Sequence, residues 1–292
     1  MSAVALIVHH ERPEAATVAK AAATWLRERG HEVRVPADDA LAVGLEEFAT
    51  AAPALVGGLD LAVSIGGDGT MLRTVDLVSV NGVPVLGVNV GTLGYLTEVE
   101  PGDLPTALER CLGNDYPVEK RMLLAVTTEA ETETSDCAPP PAVALNEAVL
   151  EKTPMGHTVR LAVYLDGDFF HVYTADGLIV ATPTGSTAYS FSAGGPIVGP
   201  EHRALLLTPV APHGLFDRTL VLEPETRIRI EVAGPRPATL SVDGRNLGVV
   251  GEGDAIVCTA ADRSARLVTF RPRDFHRILK TKFGLDGGRG DR

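Results

Sequence analysis

Leu61-Ala62-Val63-Ser64-Ile65-Gly66-Gly67-Asp68-Gly69-Thr70 decides how this chain folds. Apolar and β-branched residues are cut off by three glycines around one carboxylate, and Met71, Leu72, Val75 and Val78 then recur at helical spacing. The pattern predicts a strand, a tight turn and a helix. Open α/β sheets bind ligands at the end of such a strand, where glycines let backbone N–H groups approach a phosphate without interference from Cβ. Asp68 is the odd member, because an anion beside a phosphate is repelled unless it takes a proton from the attacking group or faces a metal. The plainer reading is a glycine turn with Asp68 as a helix cap.

Working outward, Val4 to Val8 predicts a strand running into His9-His10. Neighbouring strand residues point to opposite faces, so this pair reads as a strand end rather than a metal site. Glu14 to Arg29 carries Val18, Ala22, Trp25 and Leu26 on one helical face. A strand follows over His31 to Val35, then a helix over Leu41 to Leu55. Beyond the Asp68 helix come a buried-strand pattern over Pro84 to Asn89, the segment Gly91-Thr92-Leu93-Gly94-Tyr95-Leu96, and a short helix over Leu104 to Leu112. Strands alternating with helices imply a parallel sheet. The glycines at 87, 91 and 94 lack the dinucleotide spacing G-x-G-x-x-G, and no Gly-Lys pair is present for a Walker A loop.

From Arg121 the pattern changes to short strands, at Met122 to Thr127, Val143 to Leu150, Arg160 to Leu165, Phe169 to Tyr173 and Leu178 to Ala181, with several more between Ala204 and Phe270. Asp166-Gly167 and Asp243-Gly244 are hairpin signals. Thr128 to Ala142, with four acidic residues and three consecutive prolines, reads as a solvated loop. Gly284 to Arg292 reads as a frayed tail. The expected fold is α/β: an N-terminal parallel-sheet domain over 1–120, then an all-β domain over 121–270, with 271–292 returning to the first domain.

At 292 residues and 45% hydrophobic content the chain can bury a core large enough for two domains. No apolar run approaches the roughly 18 residues of a membrane span, and the N-terminus has no basic region followed by an apolar stretch, so a soluble cytoplasmic protein is expected. Cys111, Cys137 and Cys258 lie far apart and read as incidental thiols. A net charge of −12 disfavours a nucleic-acid surface, though backbone amides and a few local cations can still hold a small anion.

The second informative stretch is Asp176-Gly177-Leu178-Ile179-Val180-Ala181-Thr182-Pro183-Thr184-Gly185-Ser186-Thr187-Ala188-Tyr189-Ser190. Seven hydroxyl side chains fall between Thr182 and Ser192. A loop of this kind supplies neutral donors and acceptors for ribose, phosphate or amide groups, or else only polar turns.

Gly66-Gly67-Asp68-Gly69-Thr70, Asn146-Glu147 and Thr182-Pro183-Thr184-Gly185-Ser186-Thr187-Ala188-Tyr189, in that order and spacing, resemble the NAD kinase family, from about residue 4 to about residue 280. The glycine turn is shared with kinases of lipids and other small alcohols, whereas the Thr182 to Tyr189 stretch is more specific. The resemblance implies transfer of the terminal phosphoryl group of ATP, or of polyphosphate, to the 2′-hydroxyl of the adenosine ribose of NAD, giving NADP. It implies a site between an α/β and a β-rich domain, a last helix returning to the first domain, magnesium accompanying ATP with no protein ligand assigned, and a homotetramer or homodimer.

Residue by residue, the resemblance makes Asp68 the general base, and Gly66, Gly67 and Gly69 the turn that meets the donor phosphates. Arg73 becomes a phosphate contact, where a solvated helix side chain is the plainer reading. Asn146 and Glu147 read the adenosine end of NAD, and without the resemblance they are strand-edge polar residues. Asp176 lies toward the nicotinamide half. Thr187, Ala188, Tyr189, Ser190, Phe191 and Ser192 form the dinucleotide loop, Gly69 adjoins the acceptor, and His157 and Thr174 fall at aligned binding positions where other members often carry Arg or Lys. Arg245, after the Asp243-Gly244 turn, reads as a hairpin flank. The competing classes are a kinase of a lipid or other small alcohol and an NAD-sensing module without catalysis; the Thr182 to Tyr189 stretch speaks against the first and Asp68 against the second.

Overall fold

The computed structural model describes residues 1–91, 94–129, 139–153, 157–270 and 275–285. The chain divides into two units, Met1–Glu119 with Arg266–Arg292, and Lys120–Ala265.

In the first unit, β1 (Ala3–Val8), α1 (Pro13–Glu28), β2 (Glu32–Pro36), α2 (Ala37–Val43), β3 (Ala49–Thr50), α3 (Ala52–Val56), β4 (Leu61–Gly66), α4 (Asp68–Val78), β5 (Pro84–Asn89) and α5 (Leu104–Leu112) follow in order. The strands pair in parallel as β5-β4-β1-β2-β3, and Arg266 and Leu267 add a parallel pairing outside β5. Every residue of β1, β4 and β5 is buried, as strands covered on both faces require. The chain leaves β1 on one side toward β2 and later returns on its other side as β4. That reversal opens a crevice at the carboxyl ends of β1 and β4, where doubly wound sheets bind ligands.

The helix expected over Leu41 to Leu55 is not formed. Gly44, at φ +68, ends α2, and Leu45 N–H turns back to the Ala40 carbonyl. Ala49 and Thr50 instead pair with Val35 and Pro36. The apolar residues of this stretch lie on two short helices around a strand, so their spacing imitates one longer helix.

In the second unit, β6 (Val118–Glu129), β7 (Ala142–Ala144), β8 (Glu147–Lys152), β9 (Val159–Leu165), β10 (Asp168–Ala175) and β11 (Gly177–Ala181) precede one short helix, α6 (Tyr189–Ser192). Then come β12 (Leu205–Val210), β13 (Leu220–Leu222), β14 (Ile228–Val232), β15 (Ala238–Val242), β16 (Arg245–Val250) and β17 (Ala255–Val268). One sheet runs β10-β9-β14-β17, with β6 on β17 and β7 on β6; the other runs β13-β12-β11-β8-β15-β16. Alternate residues of β14 and β15 are buried, and both sheets feed one apolar core. At both predicted hairpins Asp and Gly take positive φ, +54 and +94 at Asp166-Gly167 and +47 and +77 at Asp243-Gly244.

The strand expected over Val143 to Leu150 is two strands. It breaks at Leu145-Asn146 because β7 pairs with β6 whereas β8 pairs with β11 and β15 in the other sheet. The expected last helix runs as α7 (Phe275–Phe283), in the first unit; residues 271–274 lie outside the described residues. So do Cys137, Thr92, Leu93, most of the acidic loop and most of the tail.

Candidate active site

The crevice in the first unit is a cavity of about 500 Å³, within the range that holds a small ligand. It is lined by His9 and His10 after β1, by Gly67, Asp68 and Gly69 at the start of α4, and by Arg12, Arg73 and Lys282. Asp68 is half-buried, and its oxygens accept from the Tyr95 N–H at 2.9 Å and the Leu96 N–H at 3.0 Å. Two backbone donors therefore fix the carboxylate's direction and leave each oxygen a lone pair for another partner. Gly94 passes so close that a Cβ there would lie 2.2 Å from Asp68 Oδ1.

The turn glycines divide into two kinds. A Cβ on Gly66 would collide with the Thr70 hydroxyl, so that glycine is required by packing. A Cβ on Gly67 or Gly69 would meet nothing within 4 Å. Packing gives no reason for these two, and both border the cavity.

Cations surround the space. Lys282, on α7, lies 4.9 Å from the centre of the Tyr95 ring. Arg12 donates to the Val90 carbonyl. Arg73 closes its fork on Asp39, at 2.7 and 2.6 Å, and gives a further hydrogen to the Val8 carbonyl. The fork that a phosphate would engage is thus occupied by a carboxylate, leaving Nε–H and one Nη1 hydrogen, on the side of His10 Nε2 3.2 Å away, outside these contacts.

A second cavity, of about 710 Å³, lies within the second unit and is lined by Glu147, Glu151, Lys152, Asp176, Tyr189, Ser241, Gly244 and Asn246 among others. Asp243, next to Gly244 of that lining, anchors the neighbouring bend. At the tip of the β15–β16 hairpin, that carboxylate accepts from the N–H groups of Leu145, Asn146 and Glu147 at 2.7, 2.8 and 3.1 Å. These amides are the ones released where the chain changes sheets. Thr182 holds the same bend from the other side, through its N–H to the Asn146 carbonyl and its hydroxyl to the Leu145 carbonyl.

Residues 4–116 match the family model described as the ATP-NAD kinase N-terminal domain, and residues 145–270 the ATP-NAD kinase C-terminal domain. The chain belongs to the NAD kinase family. It is 41% identical to an NAD kinase of Heliobacterium modesticaldum across 97% of this chain and 98% of that one, and 37% identical to one of Moorella thermoacetica across 100% and 92%. Among solved structures it resembles yeast NADH kinase complexed with NADH, at TM-score 0.87 and 26% identity over 100% and 89% of the two chains. It also resembles an NAD kinase from Archaeoglobus fulgidus in complex with ATP, at TM-score 0.69 and 27% identity over 96% and 97%. As an NAD kinase it is a phosphotransferase, and the reading as a lipid kinase or other small-alcohol kinase is not favoured.

The sequence-assigned residues of this NAD kinase fall into three groups. Asp68, Gly67, Gly69 and Arg73 share the first cavity, while Glu147, Asp176 and Tyr189 share the second. Asn146 stands beside Glu147, half-buried, and Asp176 pairs with Lys152 at 2.8 Å. Thr187 and Ala188 are half-buried, whereas Phe191 and Ser192 are exposed on α6. Ser190 turns inward to the Thr208 hydroxyl, 2.9 Å away. His157 and Thr174 are exposed and line neither cavity.

The hydroxyl-rich stretch is largely spent on its own folding. The Ser186 hydroxyl bonds Pro183 and Val198 backbone, and Thr184 accepts from Arg121. The knuckle they form sets Gly185 against Asn146 so closely that a Cβ would lie 2.2 Å from the Asn146 carbonyl oxygen. Sequence reasoning missed Asp39, His10, Lys282 and the anchoring role of Asp243. Only Asp243 carried a local signal, its turn, and that signal reported conformation rather than contacts.

Glu147 is the most perturbed acid of the second cavity. Burial first, and then the nearby Asp243 charge, push its carboxyl up to about 8, against a partial offset from the Tyr189 backbone N–H. Oε2 is buried with no hydrogen-bond partner among the described residues, and a ligand hydroxyl would satisfy it. The folded protein keeps the Glu147 proton up to about pH 8, whereas an unfolded chain releases it near 4.5. The folded state thus binds more protons between those values, and stability falls as pH rises through them. Glu147→Gln, which keeps the shape without the charge, is expected to raise the melting temperature above pH 8 and to change it little below pH 4.5, as measured by thermal unfolding across that range.

Proposed function

We propose that the chain transfers the terminal phosphoryl group of ATP to the 2′-hydroxyl of the adenosine ribose of NAD, with Asp68 taking the hydroxyl proton. The observation that carries this reading is a carboxylate held by two backbone amides in a cavity bordered by two unpacked glycines and three cations. A ribose hydroxyl is a poor nucleophile, and a positioned carboxylate that accepts its proton speeds such a step by about 10² to 10⁴. Gly67, Gly69 and the amides opening α4 suit the donor phosphates, Gly66 shaping the turn, and Lys282 and Arg12 add positive charge where negative charge develops. Arg73, its charge matched by Asp39, contributes Nε. ATP is favoured over polyphosphate because the resembling Archaeoglobus enzyme was solved with ATP.

Asn146 and Glu147 are assigned to adenosine. Asn146 offers donor and acceptor together to an adenine edge, and the orphaned Glu147 oxygen suits a ribose hydroxyl. Asp176, Thr187, Ala188, Tyr189, Phe191 and Ser192 are assigned to the rest of the dinucleotide, with Ser190 holding their backbone from inside; His157 and Thr174 are assigned to its periphery. Among the described residues no group of three His, Cys, Asp or Glu is placed to hold a metal ion. Magnesium is assigned to the donor phosphates, with no protein ligand.

We also propose a homo-oligomer, a tetramer rather than a dimer, through the second unit. β10 ends its sheet, and Phe169, Phe170 and Phe216 are exposed on and beside it, with the Phe170 and Phe216 rings 5.8 Å apart. An edge strand carrying exposed aromatics invites a second copy.

NADP formation assayed with ATP and with polyphosphate tests the donor, and activity with polyphosphate alone overturns the assignment to ATP. Asp68→Asn is expected to lower kcat by about 10² to 10⁴ while leaving NAD binding within a few-fold; unimpaired turnover removes Asp68 as the base. Asn146→Ala is expected to weaken NAD by about 1 to 3 kcal/mol, seen as a raised KM for NAD with KM for ATP nearly unchanged. A lower melting temperature with normal constants would instead make Asn146 a strand-edge residue. Light scattering is expected to give a multiple of 30.7 kDa, and the monomer mass at working concentration overturns the assembly.

A further inference from the structure

His10 and Asp39 form a side-chain pair beside the Asp68 cavity that the reading above does not use. Asp39 is fully buried on α2, and its two oxygens receive four donors. Oδ1 accepts from Arg73 Nη1 at 2.7 Å and lies 2.6 Å from His10 Nε2; Oδ2 accepts from Arg73 Nη2 at 2.6 Å and from the Val8 N–H at 2.8 Å. A carboxylate so loaded is an acceptor on every side, so the hydrogen in the 2.6 Å contact sits on Nε2. Nε2 then cannot also accept from Arg73 Nη1, 3.2 Å away, and the contact to Asp39 is the one that orients the ring. Nδ1 takes part in none of these contacts. The ring borders the same cavity as Asp68, Gly67 and Gly69, with its side chain 41% exposed.

The charges favour an anion there. Arg73 cancels Asp39, so the imidazole is backed by a neutral pair and not by a bare carboxylate that would repel a phosphate. The neighbouring His9 is used differently, its Nδ1 accepting the Glu11 N–H. Of the two histidines, His10 is the one whose orientation is set from behind by a buried group.

We propose that His10 binds a phosphate oxygen of the phosphoryl donor through Nδ1–H, and that Asp39 is the positioning residue that holds it there. The inference rests on the reading that this cavity takes the donor. With Nε2–H on Asp39, the bond from Nδ1–H to the phosphate needs a second ring proton, taken up from solvent together with the anion. Such a charge-assisted bond is among the stronger ones a side chain can offer an anion. Arg73 then serves the donor indirectly, by neutralising Asp39 and closing the far side of the pair.

The test measures ATP binding to the full-length protein by titration calorimetry, together with KM for ATP and for NAD. His10→Ala is expected to raise the ATP dissociation constant and KM roughly ten- to a hundredfold, with KM for NAD and the melting temperature nearly unchanged. His10→Asn, whose amide N–H falls near the position of Nδ1, is expected to recover part of that loss. Asp39→Asn is expected to weaken ATP in the parent but to add little in the His10→Ala background, because it acts through His10. An unchanged ATP dissociation constant in folded His10→Ala overturns the proposal, and so does a loss that His10→Asn does not relieve. If Asp39→Asn does not fold, the two His10 variants decide alone. A parent that forms NADP with polyphosphate and binds no ATP would refute the donor assignment instead, and the same His10 comparison with polyphosphate then decides the role of His10.

Discussion

A strand that stops inside a protein leaves backbone N–H groups with no partner, and buried amides must find an acceptor. Beside the two cavities three aspartates supply it. Asp39 takes the Val8 N–H, Asp68 takes those of Tyr95 and Leu96, and Asp243 takes those of Leu145, Asn146 and Glu147. Each lies where the chain leaves a strand or bends between sheets, and each borders or adjoins a cavity. Removing such a carboxylate would leave amides unsatisfied in the wall of a site, so the same interaction stabilises the fold and shapes the pocket.

This economy explains how the candidate side chains are placed by backbone amides rather than by side-chain partners. Asp68 needs no side-chain partner because two amides aim it. Glu147 is carried on a strand whose first amide is clamped by Asp243, and its own carboxyl is left without full compensation in a buried place. A buried acid with an orphaned oxygen is costly for the free protein, and a hydroxyl donor placed there would relieve it. The hydroxyl-rich Thr182 to Ser192 stretch works in the same sense. Its buried members fold a knuckle against Asn146, and its exposed Tyr189 borders the second cavity.

Much of the architecture was legible in the sequence. The strand, glycine turn and helix around Asp68 stand as read, as do the β5 strand, the Leu104 helix and both Asp-Gly hairpins. What misled was periodicity carried across a break. Leu41 to Leu55 looks like one helix because two short helices and a strand share an apolar spacing, and Val143 to Leu150 looks like one strand because nothing local marks the change of sheet. Among the site residues, the two clusters around Asp68 and Glu147 were named from motifs, while Arg73 was named as a phosphate contact and its pairing with Asp39 was not read.

The sequence by itself determined the alternation of strand and helix, the switch to short strands near Arg121, the turns, and the place of Asp68 at the head of a helix. These follow from hydrophobic period and from glycine and aspartate turn chemistry, which act over a few neighbouring residues. Only the tertiary structure decided that Asp39 sits under His10 and Arg73, 29 and 34 residues away, and that Asp243 clamps amides 96 to 98 residues earlier. It alone brought Lys282 of α7 over Tyr95. Such contacts depend on which strands lie side by side and on how deeply a carboxylate is buried. No local pattern encodes either, because an aspartate that caps a distant strand is spelled the same way as one that faces water.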